Sequence, residues 1–189
     1  MDWKHGYAII NLEPKNIQNI NIMIVGEITC ENPDEHWKPI TVNGGIVLDL
    51  GCGFNDEDSR NKRWSSPYYF KKENAQLIIG VDINNDDIII LKNEIKNKSI
   101  FITDKIDDGN IQSYIDRYNP THLKCDIEGG EVAIINSDPK TIKNAAIEVH
   151  TPEIRKQFLD WFLRWGFSLY GDLSLRGHPH ISVLFASRP

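Results

Sequence analysis

The sequence predicts an α/β protein built on a doubly wound, mostly parallel seven-stranded sheet with an amino-terminal β-hairpin extension. Two observations carry this expectation. From residue 46 onward, short β-rich apolar runs alternate with helical patterns. Those runs are continuously apolar, as in strands covered on both faces. The runs are Ile46–Leu50, Leu77–Ile83, Ser99–Thr103, His122–Ile127 and Ala145–Val149. At 189 residues the chain fits one domain with a sizeable core.

Helices fit between the strands. Ser66-Pro67 puts a capping residue before a proline at the first helical position, opening a short helix through Tyr69 and Phe70. Ile88, Leu91 and Ile95 share one face of a second helix, and Ile111, Tyr114, Ile115 and Tyr118 share one face of a third, with Asn110 as its cap. Glu131 to Ile135 form a short fourth. Thr151-Pro152 starts a fifth, whose Phe158, Leu159, Phe162 and Leu163 make an apolar stripe and which Gly166 ends. Phe167–Tyr170 and Ile181–Ala186 then close the domain as a hairpin.

The first 43 residues read differently. Tyr7–Asn11 and Ile20–Thr29 are strand candidates separated by polar turns, so residues 1–43 are expected as a hairpin extension packed on the core formed by residues 44–189.

Composition narrows the function. A formal charge of -6 and a pI near 5.5 argue against gripping nucleic acid by charge alone. The three cysteines, Cys30, Cys52 and Cys125, form no CxxC pair, which excludes a zinc ribbon or disulfide framework and predicts reduced thiols. Residues 1–6 hold no apolar signal core, and no run is long enough to span a membrane, so a cytoplasmic protein without membrane contact is expected.

Ile46–Leu50 runs into the turn Gly51-Cys52-Gly53-Phe54-Asn55. Glycine bends the backbone with positive φ and lets a ligand approach the main chain. Asp49 just ahead of the turn would repel a phosphate. It suits a ligand carrying hydroxyls and positive charge, such as S-adenosylmethionine. A dinucleotide site would need a third glycine and an acidic residue about 20 positions on; Asp56 stands at the glycine position, and Asp82 lies well beyond that spacing.

In an open parallel sheet, ligands bind at the carboxyl ends of the strands. Here five successive strands end in acidic groups: Asp49, then Asp82, Asp104, Asp126 with Glu128, and Glu148 with His150. Asp82 is placed to accept from two ribose hydroxyls, or else to help Asn84 and Asn85 cap the next helix. The run Cys125-Asp126-Ile127-Glu128-Gly129-Gly130-Glu131 crowds like charges, which prepares an acid–base group. It could bind a divalent cation through oxygen, with Glu148 and His150 at the neighbouring strand end completing the site; the reading favoured is hydrogen bonding at a helix start, with no metal. His150, Glu148 and Glu128 are the catalytic candidates, His150 because its ordinary pKa suits proton abstraction. A structural imidazole is the alternative. Lys124 inside a buried strand calls for a carboxylate partner. The segment Asp56 to Ser65, with Arg60, Lys62, Arg63 and Trp64, reads as a long loop, a substrate lid or a solvated surface. Trp37, His178 and His180 are weaker candidates.

The chain resembles class I, Rossmann-like S-adenosylmethionine-dependent methyltransferases, through Val47–Gly53 and the acidic end of Gly80-Val81-Asp82. More narrowly it is similar to the FkbM family. That likeness rests on Leu123-Lys124-Cys125-Asp126-Ile127-Glu128-Gly129-Gly130-Glu131, on Ile147-Glu148-Val149-His150 and on Trp165-Gly166-Phe167. Asn55 stands at the usual third glycine, a position Asn tolerates, and Asp82-Ile83 at the family's usual glutamate-proline. The resemblance implies a methyltransferase domain over 44–189. It implies donor binding by Asp49, Gly51, Cys52, Gly53, Asn55, Asp82, Ile83, Asp104 and Asp126. It also implies O-methylation of a small-molecule or saccharide hydroxyl. Methylation of RNA or protein nitrogen, and a methyltransferase-like binding module without catalysis, are the alternatives.

Overall fold

A computed structural model of the chain describes residues 24–28 and 36–189. Eight strands form one sheet: β1 (Ile24–Ile28), β2 (Ile46–Leu50), β3 (Leu77–Asp82), β4 (Ser99–Thr103), β5 (His122–Cys125), β6 (Asn144–Val149), β7 (Ser168–Leu175) and β8 (His178–Ser187). Their order across the sheet is β1-β7-β8-β6-β5-β2-β3-β4. β6, β5, β2, β3 and β4 run parallel, and β8 is antiparallel to both β6 and β7.

The sheet therefore has one strand more than the sequence predicts. The extra strand is β1, which pairs in parallel with β7 from Ile24 beside Gly171 to Ile28 beside Leu175. Its expected hairpin partner, Tyr7–Asn11, lies outside the described residues, as does Cys30. The hydrogen-bonding edge of β7 is open to an added strand, and β1 takes it.

The helices with bounds among the described residues are α1 (Glu57–Lys62), α2 (Ser66–Lys72), α3 (Asn85–Glu94), α4 (Ile111–Tyr118), α5 (Val132–Ile135) and α6 (Pro152–Arg164). Successive strand residues point to opposite faces. Leu48 and Leu50 thus join the core with Ile111 and Ile115 of α4 and Phe158, Trp161 and Phe162 of α6. Val47 turns the other way, toward Tyr69 and Phe70 of α2 and toward Trp37. Each face carries helices, so the strands read as unbroken apolar runs. Trp161 is fully buried and stacks on Phe167 with ring centroids 5.4 Å apart.

Helix ends follow local chemistry. Thr151 Oγ1 accepts from the Ile154 N–H at 3.2 Å, and Pro152 follows at a position that needs no donor. Two expectations are corrected. Asp56 to Ser65 is not a plain loop: Asp56 caps α1 by accepting from the Ser59 N–H at 2.7 Å, and Glu57 and Asp58 complement the helix start. Asn110 sits at the start of α4 but its side chain does not cap it. Its Oδ1 accepts from Asp107 N–H, and its Nδ2 donates to Asp104 and to the Lys105 carbonyl.

Chain order reverses at β2. From β2 the chain builds outward to β3 and β4, then returns to lay β5 on the other side of β2. The loops leaving β2 and β5 part at that point, opening a crevice at the carboxyl ends of the strands. Among the described residues no helix is long and apolar enough to cross a membrane.

Candidate active site

At the reversal point the two loops touch. Gly51 has φ +72°, and a Cβ there would sit 1.7 Å from the carbonyl oxygen of Asp126. Only glycine allows both the conformation and the approach. The turn is tied to the end of β3 as well. Gly53 N–H donates to Asp82 Oδ2 at 2.8 Å, and Asn84 N–H donates to Asp82 Oδ1 at 2.8 Å. Asn84, not Asp82, caps α3. Phe54 N–H donates to Asp87 Oδ2 at 3.2 Å, and Asp87 Oδ1 accepts from Arg60 Nη2 at 2.6 Å, which anchors α1 over the turn.

Around this turn lies a cavity of about 610 Å³. The expected donor residues Gly51, Gly53, Asn55, Asp82, Ile83, Asp104 and Asp126 all line it. Ile83 is exposed beside it, 71 % accessible. Asp104 is oriented by the Tyr114 hydroxyl, which donates to Oδ2 at 2.6 Å.

Asp49 and Cys52 do not line the cavity. Asp49 is fully buried beneath the turn, accepts from Ser66 Oγ at 2.8 Å, and pairs with Lys124 Nζ at 3.2 Å. Burial raises its pKa, and Lys124 and Ser66 pull against that rise. Lys124 meets the expectation of a paired buried lysine. Burial lowers its pKa, but the carboxylates of Asp49 and Asp126 outweigh it and hold the ammonium charged. Its Nζ also donates to the carbonyls of Leu50 and Gly51, so the pair braces the glycine turn from below. The Cys52 thiol is buried in the core, with its pKa pushed well up by burial and by Asp49. A thiol in that state is inert.

A second, smaller cavity of about 280 Å³ adjoins the first and shares Gly51, Gly53, Asn55, Asp126 and Glu128 with it. Glu128, Glu148 and His150 all line this cavity, together with Trp37, Trp64 and His178. Glu128 has φ +24° and precedes Gly129 at φ +83°, a strained turn that sets its carboxylate at the junction of the two cavities.

His150 is held between carboxylates. Its Nδ1 lies 2.9 Å from Glu131 Oε1 and its Nε2 lies 3.4 Å from Glu148 Oε1. Hydrogen bonding to Glu131 and Glu148 raises its pKa to about 10. The same two carboxylates thus favour the protonated ring, which bears against the expected role as a base. Burial works to raise Glu148, but the imidazoles of His150 and His36 outweigh it and hold the group well down. Asp126 moves the other way, raised by burial against the pull of Lys124. Among these carboxylates Asp126, which borders both cavities, is the better proton acceptor.

No family model and no curated protein matches the chain by sequence. Solved structures do match its fold. A provisionally assigned S-adenosylmethionine-dependent methyltransferase from Listeria monocytogenes aligns with TM-score 0.60 and 14% identity, over 82% of this chain and 95% of the other. TrmK of M. capricolum, in complex with S-adenosyl-homocysteine, aligns with TM-score 0.57 and 15% identity, over 82% of this chain and 66% of the other. Fibrillarin of Aeropyrum pernix, with natively bound S-adenosyl-L-methionine, aligns with TM-score 0.53 and 10% identity, over 78% and 68%. The fold is that of the Rossmann-like methyltransferases.

Within that fold the site draws on residues the sequence did not flag. His36 has its Nε2 2.7 Å from Glu148 Oε2 and its ring 4.4 Å from that of Trp37. Both residues come from the segment expected as an extension, and they form a wall of the smaller cavity. No local signal marks His36, which reaches Glu148 only through the fold. Lys105, Ile106 and Phe54 line the larger cavity, and their places just after strand ends are the signal that could have found them. His178 lines the smaller cavity, whereas His180 does not.

Proposed function

We propose that the chain is an S-adenosylmethionine-dependent methyltransferase acting on a hydroxyl of a small molecule or saccharide. One observation carries the reading: two adjoining cavities of unequal size share a wall at the point where strand order reverses. The larger suits a donor and the smaller an acceptor, meeting at Asp126 and Glu128.

The residues present fit this donor. A Cβ at Gly51 or Gly53 would fill the cradle. Asp82 spends one lone pair of each oxygen on backbone N–H groups and keeps others for ribose hydroxyls. Asp126 and Glu128 face the region where the donor's positive charge would lie, and Ile83 offers an apolar surface for its base. When bound, S-adenosylmethionine supplies an electrophilic methyl group on a good leaving group. The chain then has mainly to hold the acceptor oxygen in line. The half-buried Trp64 contributes an aromatic edge to the acceptor cavity, and Asp126 borders the acceptor as the group able to take its proton.

A small hydroxylated acceptor fits better than RNA. The basic residues of the α1 region are already paired: Arg60 with Asp87, Lys62 with Asp58 and Arg63 with Glu94. The acceptor cavity mixes Asp126, Glu128 and Glu148 with Lys124 and three imidazoles, and these carboxylates disfavour a phosphate chain there. The Lys124–Glu131 run and Glu148-Val149-His150 support an FkbM-like assignment, in which a hydroxyl is the acceptor.

The test is calorimetry with S-adenosylmethionine and S-adenosylhomocysteine on the protein and on Asp82→Ala. Micromolar binding that weakens at least tenfold in the variant is expected. No binding by folded protein would overturn the proposal and leave a binding module of another kind. With binding established, transfer of labelled methyl to hydroxylated small molecules and saccharides, but not to RNA at low salt, is the expected second result.

A further inference from the structure

Asp126, Glu148 and His150 each present a ligating atom, and these atoms lie within 4.8 Å of one another. They sit at the ends of β5 and β6, adjacent parallel strands in register from His122 beside Asn144 to Cys125 beside Ile147. Three side chains from two strand ends thus converge on one point in the wall of the smaller cavity.

Two further observations bear on what belongs there. Glu148 is 7 % exposed, and its Oε2 makes no hydrogen bond although His36 Nε2 lies 2.7 Å away, close enough for charge but not aligned for a bond. Beside its ion pair with His36, this buried carboxylate oxygen keeps hydrogen-bonding capacity that no donor uses. Separately, the other nitrogen of His150, Nδ1, is engaged by Glu131, a fully buried carboxylate. An outer carboxylate on one ring nitrogen is the usual support of a metal-binding imidazole, because it fixes the tautomer and turns the remaining lone pair toward the ion. His150 Nε2 lies 3.4 Å from Glu148 Oε1, so a single ion placed beside both could be ligated by the two together.

We propose that Asp126, Glu148 and His150 bind a divalent transition-metal ion, manganese(II) or zinc(II). One imidazole and two carboxylates suit these ions better than they suit calcium or magnesium, which prefer oxygen alone. Three protein ligands leave coordination open toward the cavity, where an oxygen of a hydroxylated ligand completes it. Lys124, buried in the wall of the same cavity, limits the affinity by repulsion, while Glu128 and Glu131 favour the ion. The site rests on this chain's own side chains and needs no methyl donor.

The experiment titrates the metal-free, donor-free full chain with manganese(II) alone, and in a second series with zinc(II) alone. Calorimetry is run at a pH of about 8, where the ring proton is more readily displaced. One ion per chain is expected, with release of a proton that calorimetry in two buffers of different ionisation enthalpy detects. His150→Gln and Glu148→Gln should each weaken binding at least tenfold, and Glu153→Gln, on the exposed start of α6, should not. Circular dichroism confirms that each variant is folded; His150 is one-fifth exposed, so its variant stands as a test should Glu148→Gln not fold. No saturable binding by folded protein would overturn the site, as would binding undiminished in the folded variants. S-adenosylhomocysteine titrated into the same preparation reports separately on the donor cavity. Ion binding without nucleoside binding supports this site while overturning the methyltransferase reading.

Discussion

Asp49 and Lys124 face each other on neighbouring strands, in register across β2 and β5, with Oδ1 and Nζ 3.2 Å apart and both side chains closed to solvent. The pair lies directly under the glycine turn and holds two of its carbonyls through Lys124. It is thus a foundation of the candidate site: Asp49 is no part of its lining, while Lys124 also borders the smaller cavity.

Removing one partner of this pair leaves the other charge buried. Lys124→Met is expected to cost about 3–5 kcal/mol in denaturant unfolding. Adding Asp49→Asn, which keeps a group able to bond Ser66, is expected to recover more than half of that loss. A cost for the double variant equal to the sum of the two single-variant costs would show that the pair is not coupled.

The two glycines of the turn should separate stability from binding. Gly51→Ala meets the Asp126 carbonyl at 1.7 Å in a left-handed conformation, so it should lose more than about 2 kcal/mol and all donor binding. Gly53→Ala meets only the movable carboxylates of Asp82 and Asp87, at 2.8 and 3.0 Å. It should stay within about 1 kcal/mol of the parent while S-adenosylhomocysteine affinity falls tenfold or more in calorimetry.

Asp87 couples α1 to the donor turn. It is almost fully buried, and Asp87→Ala leaves the Phe54 N–H without its acceptor. A loss of about 1–3 kcal/mol is expected from that orphaned donor. Amide exchange over Glu57–Lys62 should speed up in the same variant, since Arg60 loses its anchor. Unchanged exchange would show that α1 is held by its own cap alone.

His122 makes stability depend on pH. Its Nε2 donates to the Thr41 carbonyl at 2.9 Å, and burial lowers its pKa from 6.5. The folded state thus resists protonation, while the unfolded chain takes up a proton near the ordinary value. The stabilising contribution is complete above 6.5 and is lost as pH falls from there toward the lowered folded value. Unfolding curves from neutral pH down through that window should show His122→Gln losing less stability than the parent. Parallel curves for the two proteins would refute this.

Much of the architecture was legible along the chain because its signals are local. Continuous apolar runs marked the strands of the parallel sheet, Thr151-Pro152 marked a helix start and Gly166 a helix end; Ser66-Pro67 marked another start one residue late, since Ser65 stands at the cap and Ser66, inside the helix, donates to Asp49. α1 was missed because its six residues bury no side chain, so no apolar periodicity betrays it. Asn110 was misread as a cap because its type and place were right, whereas its side chain was taken by Asp104, Lys105 and Asp107.

The sequence by itself determined the alternation of strands and helices, the glycine turn, and the row of acidic groups at the strand ends, since each depends on neighbours a few residues apart. Only the tertiary structure decided what those groups do. The two-residue period of β2 turns Asp49 toward α2, where Ser66 and Lys124 enclose it, while Asp82 at the end of β3 reaches the cavity. His36 meets Glu148, and Glu131 and Glu148 meet His150 and raise its pKa, from segments separated along the chain. Charge partners set protonation, and which partners meet is a property of packing in space that no spacing along the chain encodes.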